Sequence, residues 1–468
     1  MKPKTKKAQK NKKEQVKKLS TVSIDNHYQK MTQTPVSRLI IRLGIPTTIS
    51  MLITSIYNLV DTYFVGTLGE SQQAATGILF SLQTIIQAIA FMLGHGSGTF
   101  VAKALADKNK KEATEYVSTA FFAGAIAGIV LSLLGFTFMT PLMRLLGSTE
   151  TILPYACDYG MWVLISCPFL ICSMVLNNNL RYEGKAFYSM IGLTSGAVLN
   201  IFGDYLLIRI FDMGVYGAGM ATAISQITSF FILLILYHRM AQSSISVRAM
   251  SKKLSVYVSI VKVGFPSLIR QGLTSLSNGL LNNLTKPFGD AAIAAMSVVG
   301  RFYMLVLCVG LGIGQGFQPV ASFNYQAKKY KRVRQGLIFT SVLGFIVVAV
   351  LASVSLIFAE EIVYLFQPSE AAVKIGAPAL RFACLGLLAM PLSVPINMLY
   401  QSIREAGKAS FLSMLRSGLA FIPVLLIGVR FFGILGIQIA QPMGDIITGL
   451  ISIPFIIHFL KKTPNEDF

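Results

Sequence analysis

Two carboxylates stand in stretches that otherwise read as apolar membrane spans. Asp61 lies in "IYNLVDTYFVGTLG" (residues 56–69), with no lysine or arginine near it in sequence, and Asp204 ends "LNIFGD" (199–204). An ionised side chain at the centre of a bilayer costs about 2.5–3.5 kcal/mol on insertion scales, so such a group is a functional candidate that faces the protein interior. Thr54, Asn58 and Asp61 are spaced four and three apart, and Asn200 and Asp204 four apart. Each set therefore shares one helix face. A third segment, "GMATAISQ", adds Thr222. Two carboxylates, amides and hydroxyls offer only oxygen ligands, which suit a hard cation such as Na⁺. Proton binding is the rival chemistry, because two neighbouring carboxylates out of water do not both stay ionised.

A second polar stripe has a different character. Gln271, Ser275, Asn278, Asn282 and Thr285 follow one another at spacings of four, three, four and three, with no acid among them. The stripe predicts a polar, uncharged wall of a substrate path. Asp445 is a further acid within an apolar span and His95 a histidine within "GHGSG". His95 reads first as a hydrogen-bonded packing histidine beside glycines.

The elements that must position these groups are membrane helices. Of 468 residues, 53% are hydrophobic and 13% charged, against roughly 25% charged in soluble domains; the mean hydropathy is +0.62. Spans of about 20 apolar residues are predicted at 39–66, 72–101, 113–139, 152–180, 187–211, 214–238, 256–285, 290–324, 334–358, 372–402, 409–431 and 434–459. Lysines and arginines cluster after the even-numbered spans, as at Lys108 to Lys111 and Lys328 to Arg334, whereas Glu70, Glu150, Asp290 and Glu360 follow odd ones. That alternation places both termini in the cytosol. The expected division is a basic cytosolic tail (1–38), a first six-helix lobe (39–240), a cytosolic linker (241–255), a second lobe (256–460) and a short tail (461–468). The net charge of +21 does not imply nucleic acid, because the basic residues lie in the tail and the short loops. The five cysteines all lie in apolar spans without a CxxC pair and read as small buried hydrophobes.

The two lobes are copies. "IPTTISMLITSIYN" from Ile45 matches "FPSLIRQGLTSLSN" from Phe265 at a shift of about 220, aligning Pro46 with Pro266 and Asn58 with Asn278. "RYEGKA" from Arg181 falls on "REAGKA" from Arg404, and Pro168 on Pro391. Because six is even, both copies enter from one side, giving parallel repeats about an axis along the membrane normal. The position matching Asp61 is Leu281, so the lobes share a shape but not that charge. "EGKA" and "AGKAS" are not phosphate-binding loops: the glycine required five residues before Gly-Lys is Asn179 or Ser402, and no Ser/Thr follows directly.

"NLVDTYFVGTLG", the glycine-rich second span, "LNIFGD" and the paired "RYEGKA"/"REAGKA" together resemble the multidrug and toxic compound extrusion (MATE) family, in its DinF-like/MepA-like branch, over most of the chain beyond the tail. The resemblance implies an all-α polytopic membrane protein of twelve helices, with two lobes in a V around a central cavity. It implies no enzyme and no cofactor. It implies export of organic, often cationic compounds from the cell in exchange for H⁺ or Na⁺, by a monomer in the lipid bilayer. It places the coupling ion on Asp61, Asn200, Asp204 and Thr222; the helical spacing adds Asn58 beside them and sets the substrate cavity between Thr54 and the stripe Gln271, Ser275, Asn278 and Asn282. The NorM-like branch has an acid in the seventh span, where this chain has Gln271 and polar neighbours, which favours the first-lobe site. The alternative of related architecture is a flippase for lipid-linked oligosaccharide. It would need many cations in the cavity, and the sequence offers Arg270, Arg301 and Arg381 as deep basic residues.

Overall fold

Long apolar runs with no strand-like alternation leave the backbone one way to satisfy its hydrogen bonds inside a bilayer, namely continuous helices. The computed structural model describes residues 24–366 and 369–467, and over these the chain is helical with no strand. The lysine-rich first twenty residues lie outside the described residues. Residues 24–33 of the expected tail form a helix, α1. The first half then contains α2 (Val36–Gly66), α3 (Glu70–Ala106), α4 (Lys110–Thr137), the short α5 (Met139–Leu145), α6 (Leu153–Tyr182), α7 (Ala186–Asp204) and α8 (Gly214–Met240). The second contains α9 (Leu254–Thr285), α10 (Asp290–Gln326), α11 (Tyr330–Ile357), α12 (Ala359–Phe366), α13 (Glu370–Leu387), α14 (Met390–Ser402), α15 (Ala406–Met414), α16 (Phe421–Phe432) and α17 (Ile434–Lys462). Two π-helical segments interrupt the pattern, Tyr205–Ile210 directly after Asp204 and Leu415–Leu419 between α15 and α16.

Every predicted span coincides with one of these helices or helix pairs. Ten are long and apolar enough to cross a membrane, and the pair α13–α14, bent by 49°, is an eleventh. Pro391, the second residue of α14, accounts for the bend: a helix proline removes a donor and crowds the preceding turn. The remaining span, α9, is 32 residues long, but its polar stripe keeps it below the same apolar threshold. The short helices α5 and α12 were not anticipated, yet they obey the repeat, since Met139 and Ala359 are 220 apart.

Within the first half, α6 packs on α3, α4 and α8, and α7 joins α8 to α2; within the second, α10 packs on α13 and α14 while α17 closes against α13 and α16. The halves meet through two antiparallel pairs, α3 with α9 and α2 with α10. Both contacts are closest at the end that carries the termini. A Cβ on Gly264 would lie 1.8 Å from the Met92 carbonyl oxygen, and one on Gly96 2.1 Å from that of Ile260. Gly316 meets the Gly44 backbone and Gly312 meets Thr48 in the same way. Buried polar groups complete this seam. His95 Nδ1 and Ser267 Oγ are 2.7 Å apart, Gln401 Nε2 donates to Ser267 Oγ at 2.9 Å, Ser322 Oγ donates to the Thr99 carbonyl at 3.1 Å, and Arg181 donates to Gln315. His95 is fully buried and stacked on Phe91, with its Nε2 unpartnered. The Ser55–Cys308 contact at 3.3 Å is the last along this seam; further from the termini, no hydrogen bond among the described residues joins the halves. There a Cβ on Gly272 or Gly279 would meet nothing within 4 Å, as expected where the arms of a V diverge.

The terminal end is also where α1 and the inter-half connection are pinned. Glu183 of "RYEGKA" is fully buried and accepts hydrogen bonds from the Ser243 and Gln242 backbones, the Ser243 hydroxyl and the Tyr237 hydroxyl. It therefore fixes the start of the linker. Its counterpart in "REAGKA", Ala406, has no such task. In α1, His27 packs edge-on against Phe323 at 5.5 Å. Burial, with Lys185 and Lys30 nearby, lowers its pKa to about 4. Undocked, the ring takes a proton near pH 6.5. Docking of α1 is thus at full strength above pH 6.5 and weakens as pH falls from there to about 4, by at most ~1.4 kcal/mol per pH unit. Amide exchange in residues 24–33 is expected to accelerate over that window and to lose its pH dependence in His27→Gln. Identical pH profiles in the two proteins would show that another group governs docking.

Candidate functional site

The first half gathers its polar groups where α2, α6, α7 and α8 converge. Asp204 is fully buried at the last turn of α7, where the backbone opens into the wider turns of Tyr205–Ile210; such π-helical interruptions are frequent at functional sites. Asp61 comes from the far half of α2 and lies within electrostatic reach of Asp204. Tyr159 Oη donates to Asp61 Oδ2 at 3.3 Å and lies 3.2 Å from Thr222 Oγ1, which accepts from Asn200 Nδ2 at 3.3 Å. Four buried oxygens have no partner: Asp61 Oδ1, both carboxylate oxygens of Asp204 and Asn200 Oδ1. Leaving a buried acceptor unsatisfied costs about 1–3 kcal/mol, more when it is charged. All four belong to residues of this one polar group, and unpartnered acceptors of this kind are open to a proton or a small cation. No cluster of three His, Cys, Asp or Glu occurs among the described residues, and the donor set suits a monovalent cation better than a transition metal.

Of the residues expected here, Asp61, Asn200, Asp204 and Thr222 come together. Asn58, one turn before Asp61, makes no side-chain hydrogen bond among the described residues. Thr54 instead lines an adjoining cavity of about 50 Å³ with Tyr57, Gln87, Asn200, Ser225 and Gln226. Tyr159 was missed. A tyrosine near the start of a span carries no sequence signal of its own, and only the packing of α6 against α3 and α8 aims it at the acids.

In the second half, Gln271 and Ser275 are half-buried and Asn278 and Asn282 exposed along α9, with no side-chain hydrogen bonds among the described residues. Thr285 departs from the stripe: it is buried and bonds back to the Leu281 carbonyl. The second-half interior is not uncharged. Arg416, inside the π-helical segment Leu415–Leu419, donates from Nε to Asp445 Oδ1 at 3.3 Å and from Nη2 to Tyr303 Oη at 3.1 Å; Tyr303 in turn donates to Asp445 Oδ2 at 2.7 Å. Asp445 is therefore the buried counter-ion of an arginine. Arg416 was missed because a span tolerates one charge and its partner lies 29 residues away. Arg381 is not deep: it pairs with Glu360 at 3.1 Å, half-exposed. Arg301 is exposed on α10. The cysteines are free and, Cys157 apart, buried.

The MatE family profile matches residues 46–206 and 266–427, one stretch in each half. The chain is 26% identical over 429 residues to the multidrug export protein MepA of Staphylococcus saprophyticus, an alignment covering 91% of this chain and 94% of that one. MepA of Staphylococcus aureus is 25% identical over 439 residues, covering 93% and 96%. A solved outward-facing multidrug resistance MATE family transporter superposes with a TM-score of 0.87 at 24% identity, over 92% of this chain and 98% of that one. A MATE crystal structure described as the straight conformation superposes with a TM-score of 0.86, also at 24% identity, over 92% and 99%.

Proposed function

The chain belongs to the MatE family, and on that premise we propose that it is a multidrug exporter of the cell membrane, driven by alternating access in exchange for H⁺ or Na⁺. It is a multi-pass membrane transporter and not an enzyme. The observation that carries the coupling is the set of four unpartnered buried oxygens on Asp61, Asp204 and Asn200. The basic, terminal end is read as cytosolic, with both termini there, and the seam between α3–α9 and α2–α10 as the closed cytosolic gate. The state described is then open to the outside.

Coupling requires the ion to bind the two states unequally. Facing outward, the acids take up H⁺ or Na⁺, and the loss of negative charge weakens the hold on a cationic compound, which leaves. Facing inward, the ion departs and the exposed carboxylates again attract a cation. Tyr159, itself 3.2 Å from Thr222 Oγ1, holds one oxygen of Asp61 and leaves the other free for the ion. Transport of a cationic dye in proteoliposomes, under a Na⁺ gradient and a pH gradient applied separately, tests this directly. One gradient is expected to drive accumulation against the dye's own gradient. Equilibration without accumulation under either gradient would mean a passive channel.

A further inference from the structure

The segments that lead into α2 and α9 each lie on the opposite half. The connection before α9 of the second half is fastened to α4 of the first: the backbone N–H groups of Ser244, Ser246 and Ser251 donate to the hydroxyls of Thr114, Ser118 and Thr119 at 3.3, 3.1 and 2.9 Å. The repeat carries α4 onto α11, since Lys110 and Tyr330 open those helices 220 residues apart, and it carries α1 onto the end of that connection. By that symmetry α1, which leads into α2 of the first half, should rest on the second half, and it does. Tyr28 packs on Phe323 at 5.8 Å, beside His27. Asn324 Nδ2 of α10 donates to the Met31 carbonyl at 3.1 Å, and Arg332 Nη2 of α11 donates to the Met31 and Thr34 carbonyls at 3.3 and 2.6 Å. A cation is favoured at a helix C-terminus, where the last carbonyls lack partners. Asn324 Oδ1 holds the same guanidinium through Nε at 2.9 Å. The other side of α1 touches the first half. Lys108 pairs with Asp25 at 2.7 Å and sits over the Tyr28 ring at 5.1 Å. A Cβ on Gly184 would lie 3.2 Å from Met31 Sδ, and Met31 is fully buried.

We propose that α1 is a strap across the gate at the terminal end, holding α10 and α11 against the first half while the seam is shut and parting from Arg332 before the cavity opens there. The connection between the halves cannot play this part, because it is covalently continuous with both. The chain joins α1 to α2 alone, so its grip on the second half is non-covalent and can be released. The exposed Asp25–Lys108 pair adds little, which leaves Arg332 as the main polar anchor. The strap rests on the alternating-access reading above and adds to it an element that sets how often the gate opens.

The test uses detergent-solubilised full-length protein lacking the five native cysteines. Labelling of Ser322→Cys, buried in the seam, reports opening at the terminal end, and labelling of Asn278→Cys, exposed on α9, reports access from the far end. Adding Arg332→Gln is expected to speed labelling at Ser322→Cys about tenfold, the usual range for a lost charge-assisted hydrogen bond, with no rise at Asn278→Cys. Arg334→Gln is the control, because Arg334 caps α17 within the second half by donating to the Leu460 and Thr463 carbonyls; it is expected to change neither rate by twofold. An unchanged rate at Ser322→Cys with Arg332→Gln, or a rise at both positions, overturns the strap. The reading beneath it is judged separately. Thr34→Cys and Arg332→Cys, joined by a reducible thiol cross-linker, are expected to cut dye accumulation to background and to recover it on reduction. Loss of transport in the joined protein, with no effect of Arg332→Gln on labelling, removes the strap alone. Transport that survives the cross-link overturns opening at this end and the strap with it.

Discussion

Asp204→Asn is expected to abolish ion-driven dye export, by at least tenfold and to the background of empty liposomes if both acids are needed, while the protein becomes no less stable. The two halves of that expectation come from one fact. Asp204 is fully buried and neither of its oxygens has a partner. A buried charge without compensation costs the fold free energy, so an uncharged amide of the same shape removes a cost and leaves Tm unchanged or raised. A group retained at such a cost is retained for what it binds. Asp61→Asn is expected to give the same loss of transport with a smaller gain in stability, because Tyr159 already donates to Asp61. Tyr159→Phe removes one hydrogen bond and is expected to slow export only several-fold. Dye accumulation and thermal unfolding, measured on the same preparations, provide the check. An Asp204→Asn protein that still accumulates dye at the wild-type rate would take the coupling role away from this pair.

These acids were legible in the sequence because each breaks a rule. A carboxylate in an apolar span stands out, and the spacing of four and three that links Thr54, Asn58 and Asp61 follows from helix geometry alone. The repeat was legible for the same reason, since prolines and glycines punctuate a chain of otherwise interchangeable apolar residues. What escaped were features set by tertiary placement. Tyr159 gains its role from an acid 98 residues away. Arg416 and Asp445 hide one another, since each looks like a lone exception in its own span. Arg381 looks deep if α13 and α14 form one straight span; with the bend after Leu387 it instead reaches Glu360 on α12. The bend was illegible because Pro168, its counterpart, sits inside α6 without breaking it. Local sequence is alike in the two copies, and the packing around it decides.

Gly264→Ala is expected to stop transport by holding the gate at the terminal end ajar. A methyl group there would lie 1.8 Å from the Met92 backbone oxygen, and no side chain can swing away to admit it. Either α3 and α9 separate or the seam does not form. Overpacking of this kind commonly costs about 1–3 kcal/mol, and more when backbone must move. The cost falls only on the state in which the seam is closed. Every ~1.4 kcal/mol shifts a two-state balance tenfold, so a closed gate becomes the minor form. Thr99 and Ser322 are fully buried in the closed seam. A cysteine placed at either, in a background lacking the five native ones, is expected to resist a membrane-impermeant thiol reagent in the parent protein and to react at least ten times faster when Gly264→Ala is added. General unfolding would raise labelling at the far end too, whereas a shifted balance lowers it there. Gly272→Ala is the control on the same helix: it has open space around it, and alanine favours the helix, so labelling and export should both stay at the parent level. If Gly264→Ala exports dye as fast as Gly272→Ala, tight closure at this seam is not part of the cycle.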